Sequence, residues 1–153
     1  MRVSYDTNLR LRLWPAARAA AVIHAAIAQA DVALPSLEDA KALTGLAVPG
    51  EITNFYLRLG CPLVLLKLGG AGVLVATRAK RVLVSGHKVA AVDATGAGDT
   101  FAGAFLARHI EGADPVDAAR YANAAAALST SGYGAVAPIP RRAAVEAWLA
   151  GMR

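Results

Sequence analysis

Short apolar runs of strand length alternate with helical patterns along this chain of 153 residues. The clearest run covers residues 63–68 and is closed by Gly69 and Gly70, as expected for a strand that is buried on both faces. Residues 2–5 and 31–34 indicate two shorter strands. Strands that alternate with helices favour an α/β fold in which a mainly parallel sheet is flanked by helices.

The helical patterns are punctuated by capping residues and prolines. Ser36 followed three residues later by Asp39 is close to a capping box, and Asp114 with Pro115 is typical of a helix start. The pattern predicts a hairpin of residues 73–76 and 81–84, and helices over residues 16–30, 36–45, 51–59, 96–111, 114–130 and 141–150.

Composition narrows the class of protein. With 56% hydrophobic and 18% charged residues, the chain can bury a core, and its length suits one globular domain. Cys61 is the single cysteine, which excludes an intramolecular disulfide and a cysteine-clustered zinc site. The net charge of +5 is scattered rather than clustered, so we expect no nucleic-acid partner. No apolar run reaches about 18 residues, so we expect no membrane partner and a cytoplasmic location.

The most informative stretch reads VDATGAGDTFAG and covers residues 92–103. Its glycines stand where a helix begins, and the unpaired amides of a first helical turn bind phosphate well. Asp99 follows in that first turn. A carboxylate beside an anion site makes sense if it takes a proton from a hydroxyl that attacks the phosphate, which is the layout for phosphoryl transfer to an alcohol. The alternative interpretation is structural: the glycines form a simple turn before the helix, and the acidic residue in the first turn caps it.

The same stretch resembles the second signature of the PfkB (ribokinase-like) carbohydrate kinases, whose core is D-T-x-G-A-G-D-x-F, with Ala94 in place of the usual threonine. The resemblance implies a ribokinase-like fold and identifies Asp99 as the catalytic base. It also implies an anion hole for the moving phosphate, formed by the amides of Gly96, Ala97 and Gly98. Asp93 and the Thr95 carbonyl resemble the part of the family that often holds a monovalent cation. The cofactors implied are ATP and Mg²⁺, with K⁺ as a further candidate.

Two further segments resemble the nucleotide side of that family. Lys67 begins a K-x-G-x-x-G segment with glycines at 69, 70 and 72, where a strand end can admit a phosphate or ribose. A glycine turn beside a surface lysine explains these residues equally well. Asn123 and Ala126 match helix positions that face the adenine in the family, and ordinary helix packing is the alternative. The nucleotide residues implied by the resemblance are Asn8, Arg10, Lys67, Gly69, Gly70, Gly72, Gly96, Ala97, Gly98, Asn123 and Ala126.

A third segment indicates the substrate class. Residues 6–14 resemble the D-x-N-x-R-x-x-L-W signature of the 2-keto-3-deoxygluconate kinase branch. By that resemblance Arg10 reaches both the acceptor and the nucleotide, and a guanidinium can pair with the carboxylate of a sugar acid in a fork. Other PfkB kinases carry N-x-x-E where this chain has Ser36 to Asp39, so the support that this motif gives to Mg²⁺ and phosphate is carried over only weakly.

The resemblance covers essentially all 153 residues but only the second half of the family's fold. We therefore expect one domain fragment, residues 1–153, with the nucleotide-binding and catalytic-base half and without the N-terminal sugar-binding half. The implied function is ATP-dependent phosphoryl transfer to a hydroxyl of a sugar or sugar acid. The alternative is a nucleotide-binding remnant, or a half-kinase that depends on a partner. The expected partners are ATP, a small sugar or sugar acid, and either a second copy or a chain that supplies the first half.

Overall fold

The computed structural model describes residues 2–152. The predicted alternation of strands and helices is present up to Lys67, after which two further strands and then three helices follow. The strands are β1 (Ser4–Tyr5), β2 (Val32–Ala33), β3 (Leu63–Lys67), β4 (Gly72–Ala76) and β5 (Arg81–Ser85). The helices are α1 (Ala16–Ile27), α2 (Leu37–Thr44), α3 (Pro49–Leu59), α4 (Ala97–Ile110), α5 (Pro115–Ser129) and α6 (Arg142–Ala150). A short 3₁₀ turn covers Gly69–Ala71.

The strands form one sheet in the order β1-β2-β3-β4-β5. The first three are parallel, with Tyr5 opposite Ala33 and Ala33 opposite Val64. Parallel neighbours need a crossover, which α1 supplies between β1 and β2, and which α2 and α3 supply between β2 and β3. The links that join β3, β4 and β5 are too short for a parallel return, so these strands run antiparallel. The α/β prediction is confirmed, and the predicted hairpin makes the sheet mixed.

The chain divides into two compact units. The first reaches Gly69 and includes Leu74–Leu83, and the second comprises Gly70–Val73 and the chain from Val84 onward. The first unit therefore holds β1, β2, β3 and the larger part of β4 and β5, together with α1, α2 and α3. The second holds α4, α5 and α6.

The core of the first unit is built around β3. Four consecutive residues, 63–66, are buried, as expected for a central strand that is covered on both faces of the sheet. Helix α1 contributes Ile23 and Ile27, which recur four residues apart on one face. Helix α3 contributes Ile52 and Tyr56 with the same spacing, and neither side chain is exposed.

The core of the second unit lies between α4 and α5. Phe101 and Phe105 of α4 are buried, and α5 presents alanines whose small side chains allow the two helices to approach closely. At the far end of α4, Glu111 accepts hydrogen bonds from Arg108, at 2.9 Å, and from Arg142 at the start of α6. These contacts lower the pKa of Glu111, chiefly through the hydrogen bond from Arg142.

Two helix boundaries differ from the predicted ones by two residues or more, and the others agree to within one residue. Helix α1 ends at Ile27 rather than residue 30, because the chain must turn before it enters β2. Helix α3 begins at Pro49, two residues earlier than predicted, since proline at the first helical position costs no hydrogen bond. Within residues 2–152 the helices are too short or too polar to cross a membrane.

The packing of α4 gives a matched test of the second unit's core. Phe105 is fully buried, whereas Ile110 on the same helix is 72% exposed. We expect Phe105→Ala to lower the free energy of unfolding by about 3–5 kcal/mol, through lost burial and the cavity that it leaves. Ile110→Ala should change it by no more than about 0.5 kcal/mol. Urea denaturation of both variants measures the difference, and equal losses would contradict this assignment of the core.

Candidate functional site

The start of α4 is shaped by Gly96. This residue has a φ of +76°, in the left-handed region that favours glycine. A side chain would also bring a Cβ atom within 3.0 Å of Ala135, so the loop approaches Gly96 more closely than other residues would permit. The Ala97 amide donates to the Ala94 carbonyl at 3.1 Å, a turn bond that competes with an anion for this amide. The next two amides, those of Gly98 and Asp99, have no acceptor inside the helix, whereas the Thr100 amide donates to the Gly96 carbonyl at 2.8 Å.

Asp99 lies on the outer side of that first turn. Its side chain is exposed, while the next two residues, Thr100 and Phe101, are buried. Because residues one position apart on a helix point in directions about 100° apart, the buried pair fixes the rotation of α4 and leaves Asp99 facing solvent. A carboxylate that is held on a packed helix and open to solvent can accept a proton from a bound hydroxyl.

Asp93 ties the turn before α4 to the loop after α5. One carboxylate oxygen accepts from the Thr95 amide at 2.9 Å and from the Thr95 hydroxyl at 2.7 Å, and the other accepts from the Gly134 amide at 2.9 Å. These hydrogen bonds hold the pKa of Asp93 below its ordinary value, with the Thr95 hydroxyl as the largest cause. The carboxylate therefore stays ionised. Carboxylate and carbonyl oxygens suit a hard cation, so the donor chemistry of Asp93 and Thr95 fits K⁺.

The Lys67 ammonium is already paired. Its Nζ lies 2.6 Å from the Asp6 carboxylate, and both side chains are largely buried. Lys67 stands at the end of β3, and Asp6 directly follows β1. The positive charge that the sequence offers to a phosphate is therefore largely neutralised by Asp6, and the assignment of Lys67 to the nucleotide stays a prediction.

The three glycines after Lys67 have different surroundings. Gly69 and Gly70 are exposed, and a Cβ atom on either would meet nothing within 4 Å, so there is room beside both backbones. Gly72 is buried, and a Cβ atom there would lie 2.1 Å from the Val84 carbonyl oxygen and 2.4 Å from the Gly86 nitrogen. Close approach of two backbones explains Gly72 without any ligand.

Asn123 is engaged with the end of β5. Its side chain is only 7% exposed, and its amide nitrogen donates to the carbonyls of Val84 and Ser85, both at 3.1 Å. Ala126, one turn later, is half-buried. The amide therefore links α5 to β5, which favours the alternative of helix packing for Asn123, and its assignment to the adenine stays a prediction. The sequence pattern did not indicate these hydrogen-bond partners.

The loop after β1 carries Asn8 and Arg10, and both side chains are exposed. Asn8 has a φ of +35°, which is uncommon for a residue with a side chain. Arg10 donates to the neighbouring Leu9 carbonyl at 3.0 Å. Asp39 also contacts this loop, because its carboxylate accepts hydrogen bonds from Thr7 and Leu9. The sequence indicates Asp39 only as part of a capping box, so this contact was not predicted.

The predicted site residues thus form two groups. Asn8, Arg10, Lys67 and Gly69 belong to the first unit, where Asp6 links the loop to β3. The second unit holds the others: Gly70, Gly72, Asp93, Thr95, Gly96, Ala97, Gly98, Asp99, Asn123 and Ala126. Within residues 2–152, no three His, Cys, Asp or Glu side chains converge as a metal cluster. Cys61 is buried and donates to the Leu63 carbonyl, and burial raises the pKa of its thiol, as expected for a core residue.

Comparison with known proteins gives a consistent result. The profile of the pfkB family carbohydrate kinases matches residues 1–142. The 2-dehydro-3-deoxygluconokinase of Thermoproteus tenax is 36% identical over 146 residues, which are 93% of this chain and 45% of that protein. The chain spans about half the length of the curated relatives it matches.

Solved structures agree with the sequence comparison. A double mutant of the fructokinase of Vibrio cholerae O395, in its fructose-, ADP- and potassium-bound form, superposes with a TM-score of 0.90 at 37% identity. The match covers 97% of this chain and 50% of the fructokinase. A ribokinase-II-type protein of E. coli, in complex with ATP and Mg²⁺, gives a TM-score of 0.89 at 27% identity. This match covers 98% of this chain and 49% of the E. coli protein.

The glycine segment yields a prediction that separates backbone packing from ligand access. Gly72 has a φ of +108° and no space for a side chain, whereas Gly70 is open. We expect Gly72→Ala to lower the free energy of unfolding by about 2–4 kcal/mol, from backbone strain and overpacking. Gly70→Ala should leave it within about 0.5 kcal/mol. Thermal unfolding of the two variants is the measurement, and a stable Gly72→Ala protein would contradict the close backbone approach.

Proposed function

Since the chain belongs to the pfkB family of carbohydrate kinases, we propose that it carries the catalytic base and part of the nucleotide site of an ATP-dependent kinase whose acceptor is a sugar acid. The observation that carries this proposal is the exposed Asp99, fixed in the first turn of α4 directly after Gly96, Ala97 and Gly98. The family profile by itself supports common ancestry with carbohydrate kinases. The exposed carboxylate at the start of α4 supports a catalytic role, because it could accept the proton of the acceptor hydroxyl.

The reaction proposed is attack of an acceptor hydroxyl on the γ-phosphorus of ATP, in which a new oxygen–phosphorus bond forms while the bond to the bridging oxygen breaks and ADP leaves. Asp99 takes the proton of that hydroxyl, so that the oxygen gains negative charge as it approaches phosphorus. The free amides and the positive end of the α4 dipole stabilise the charge that develops on the transferred phosphoryl group. Mg²⁺ bound to the nucleotide phosphates would neutralise part of their charge. Asp93 and the Thr95 carbonyl are the residues that would hold K⁺ beside the anion site.

Arg10 is proposed to select the acceptor. A guanidinium presents its donors as a fork that matches a carboxylate, so it favours an acid over a neutral sugar. The side chain is exposed, and it follows the D-x-N motif at the carboxyl end of β1. The similar 2-dehydro-3-deoxygluconokinase of T. tenax supports a substrate of this class. We propose 2-keto-3-deoxygluconate itself as the acceptor, with a second copy of this chain supplying the rest of the sugar site.

The role of Asp99 is tested by Asp99→Asn, which removes the basic group and keeps the shape of the side chain. We expect acceptor-dependent release of ADP from Mg-ATP to fall by about 10²–10⁴-fold, because proton transfer is lost. Binding of ATP should be nearly unchanged. The matched control is Asp117→Asn, which removes another exposed first-turn carboxylate, at the start of α5, and should leave turnover intact.

Two outcomes would contradict parts of this proposal. Equal turnover in Asp99→Asn and in the parent chain would show that Asp99 is not the base. A folded parent chain that binds ATP and releases no ADP in the presence of acceptor would favour the alternative, a nucleotide-binding remnant or a half-kinase that needs a partner.

The role of Arg10 is tested by a comparison of acceptors. We expect Arg10→Ala to raise the KM for 2-keto-3-deoxygluconate by about tenfold or more, because a charge-assisted fork is lost. The KM for fructose, which has no carboxylate, should change by less than about twofold. Steady-state kinetics with both acceptors measures the contrast, and a parallel rise for fructose would assign Arg10 to the nucleotide or to the fold.

A further inference from the structure

The loop between β1 and α1 is held by a carboxylate from a different part of the chain. One oxygen of Asp39 accepts from the Thr7 hydroxyl at 2.8 Å and from the Leu9 amide at 3.1 Å. Thr7 is only 5% exposed, so its hydroxyl is withdrawn from water and needs a protein partner. Hydrogen bonds to an ionised oxygen are stronger than those between neutral groups. Asp39 therefore fixes the loop on both sides of Asn8.

This use of Asp39 departs from the local pattern of its helix. Ser36 caps α2, and its hydroxyl accepts from the Asp39 amide at 3.0 Å, which is one half of a capping box. In the other half, the acidic side chain would return to the Ser36 amide. The Asp39 carboxylate reaches instead to Thr7 and Leu9, which precede it by 32 and 30 residues. The carboxylate of Asp39 therefore anchors Thr7 and Leu9 of the β1–α1 loop to helix α2.

The loop requires such a tether. The φ of +35° at Asn8 lies in a region that costs free energy for a residue with a side chain, and the surrounding contacts must hold it there. Asp39 supplies a bond immediately before and immediately after this residue. The Lys67–Asp6 ion pair holds the preceding residue of the loop at the end of β3. Arg10 is exposed and directly follows Leu9, so the fixed backbone of residues 7–9 determines where its side chain begins.

We propose that Asp39 is a positioning residue, which holds the loop of residues 7–9 and so presents the Arg10 guanidinium to the carboxylate of an acidic acceptor. The inference rests on the proposed function for the identity of the acceptor, but the anchoring of the loop does not depend on it. Asp39 touches neither substrate nor nucleotide in this role. It acts through the backbone of Leu9 and the side chain of Thr7.

The first measurement is exchange of the Leu9 amide hydrogen, resolved by NMR. Asp39→Ala is compared with Glu38→Ala, because both remove one carboxylate from the first turn of α2 and Glu38 is exposed. We expect exchange at Leu9 about tenfold faster in Asp39→Ala, through loss of a bond to a charged acceptor. Glu38→Ala should exchange as the parent does. Equal exchange in the two variants overturns the proposal whether or not the chain is a kinase.

The second measurement separates positioning from general stability. In Asp39→Ala we expect the KM for 2-keto-3-deoxygluconate to rise by about tenfold, with kcat and the KM for Mg-ATP within about twofold of the parent. Asp39→Asn keeps an acceptor oxygen without its charge and should restore part of the loss. Thr7→Val should raise the same KM, and Thr7→Ser, which keeps the hydroxyl, should not.

The remaining outcomes are decisive in different ways. A rise confined to the KM for Mg-ATP would place Asp39 at the nucleotide or its metal and overturn the positioning role. A parent chain without turnover would contradict the proposed function for this chain, while the exchange of Leu9 would still decide whether Asp39 holds the loop.

Discussion

The parallel pairing of β1, β2 and β3 is the constraint on which the first unit depends. Parallel strands bring their carboxyl ends to the same edge of a sheet, and segments that are distant in sequence meet there. The segment after β1 carries Asp6 to Arg10, the segment after β2 carries Ser36 and Asp39, and β3 ends at Lys67. The Lys67–Asp6 ion pair and the bonds from Thr7 and Leu9 to Asp39 follow directly from this pairing. A slip of one residue in the register would separate these groups.

In the second unit, helix packing leaves the carboxylate of Asp99 exposed in the first turn of α4. Alanines on α5 permit close packing against Phe101 and Phe105, and this packing fixes the rotation of α4. Asp93 then fixes the turn that leads into the helix by accepting from Thr95 and Gly134. Asp99 needs no bond of its own to be well placed, since the helix positions it. The proposed role of Asp99 as a base requires only that an exposed carboxylate be held at a fixed point, which the packed helix provides.

Local patterns in the sequence were sufficient for the elements and for the GAGD turn, and insufficient for the contacts around them. Proline at 49, the capping serine at 36 and the glycines at 69 and 96 act within a few residues, so their effects are legible in the sequence. The partner of Lys67 lies 61 residues away, and that of Asn123 lies 38 or 39 residues away. Such partners are set by the sheet order and helix packing, which no local pattern contains. From the sequence, Lys67 and Asn123 were therefore interpreted as nucleotide contacts, with a surface lysine and ordinary helix packing as the alternatives.

The pairing of Lys67 leaves Arg10 as the predicted site cation of the first unit that has no ion pair among residues 2–152. Lys67 and Arg10 were the two cations that the sequence placed near the ligand, and Asp6 neutralises the first of them. Among residues 2–152, none of the ion pairs involves Arg10, whose guanidinium uses one of its five donors on the Leu9 carbonyl. The remaining donors can form a fork with a carboxylate only if the backbone at residues 8–10 is fixed, because a mobile arginine loses conformational entropy on binding. Preference for an acid would then depend on Asp39 as much as on Arg10, and a residue in the first turn of α2 would help to determine substrate choice.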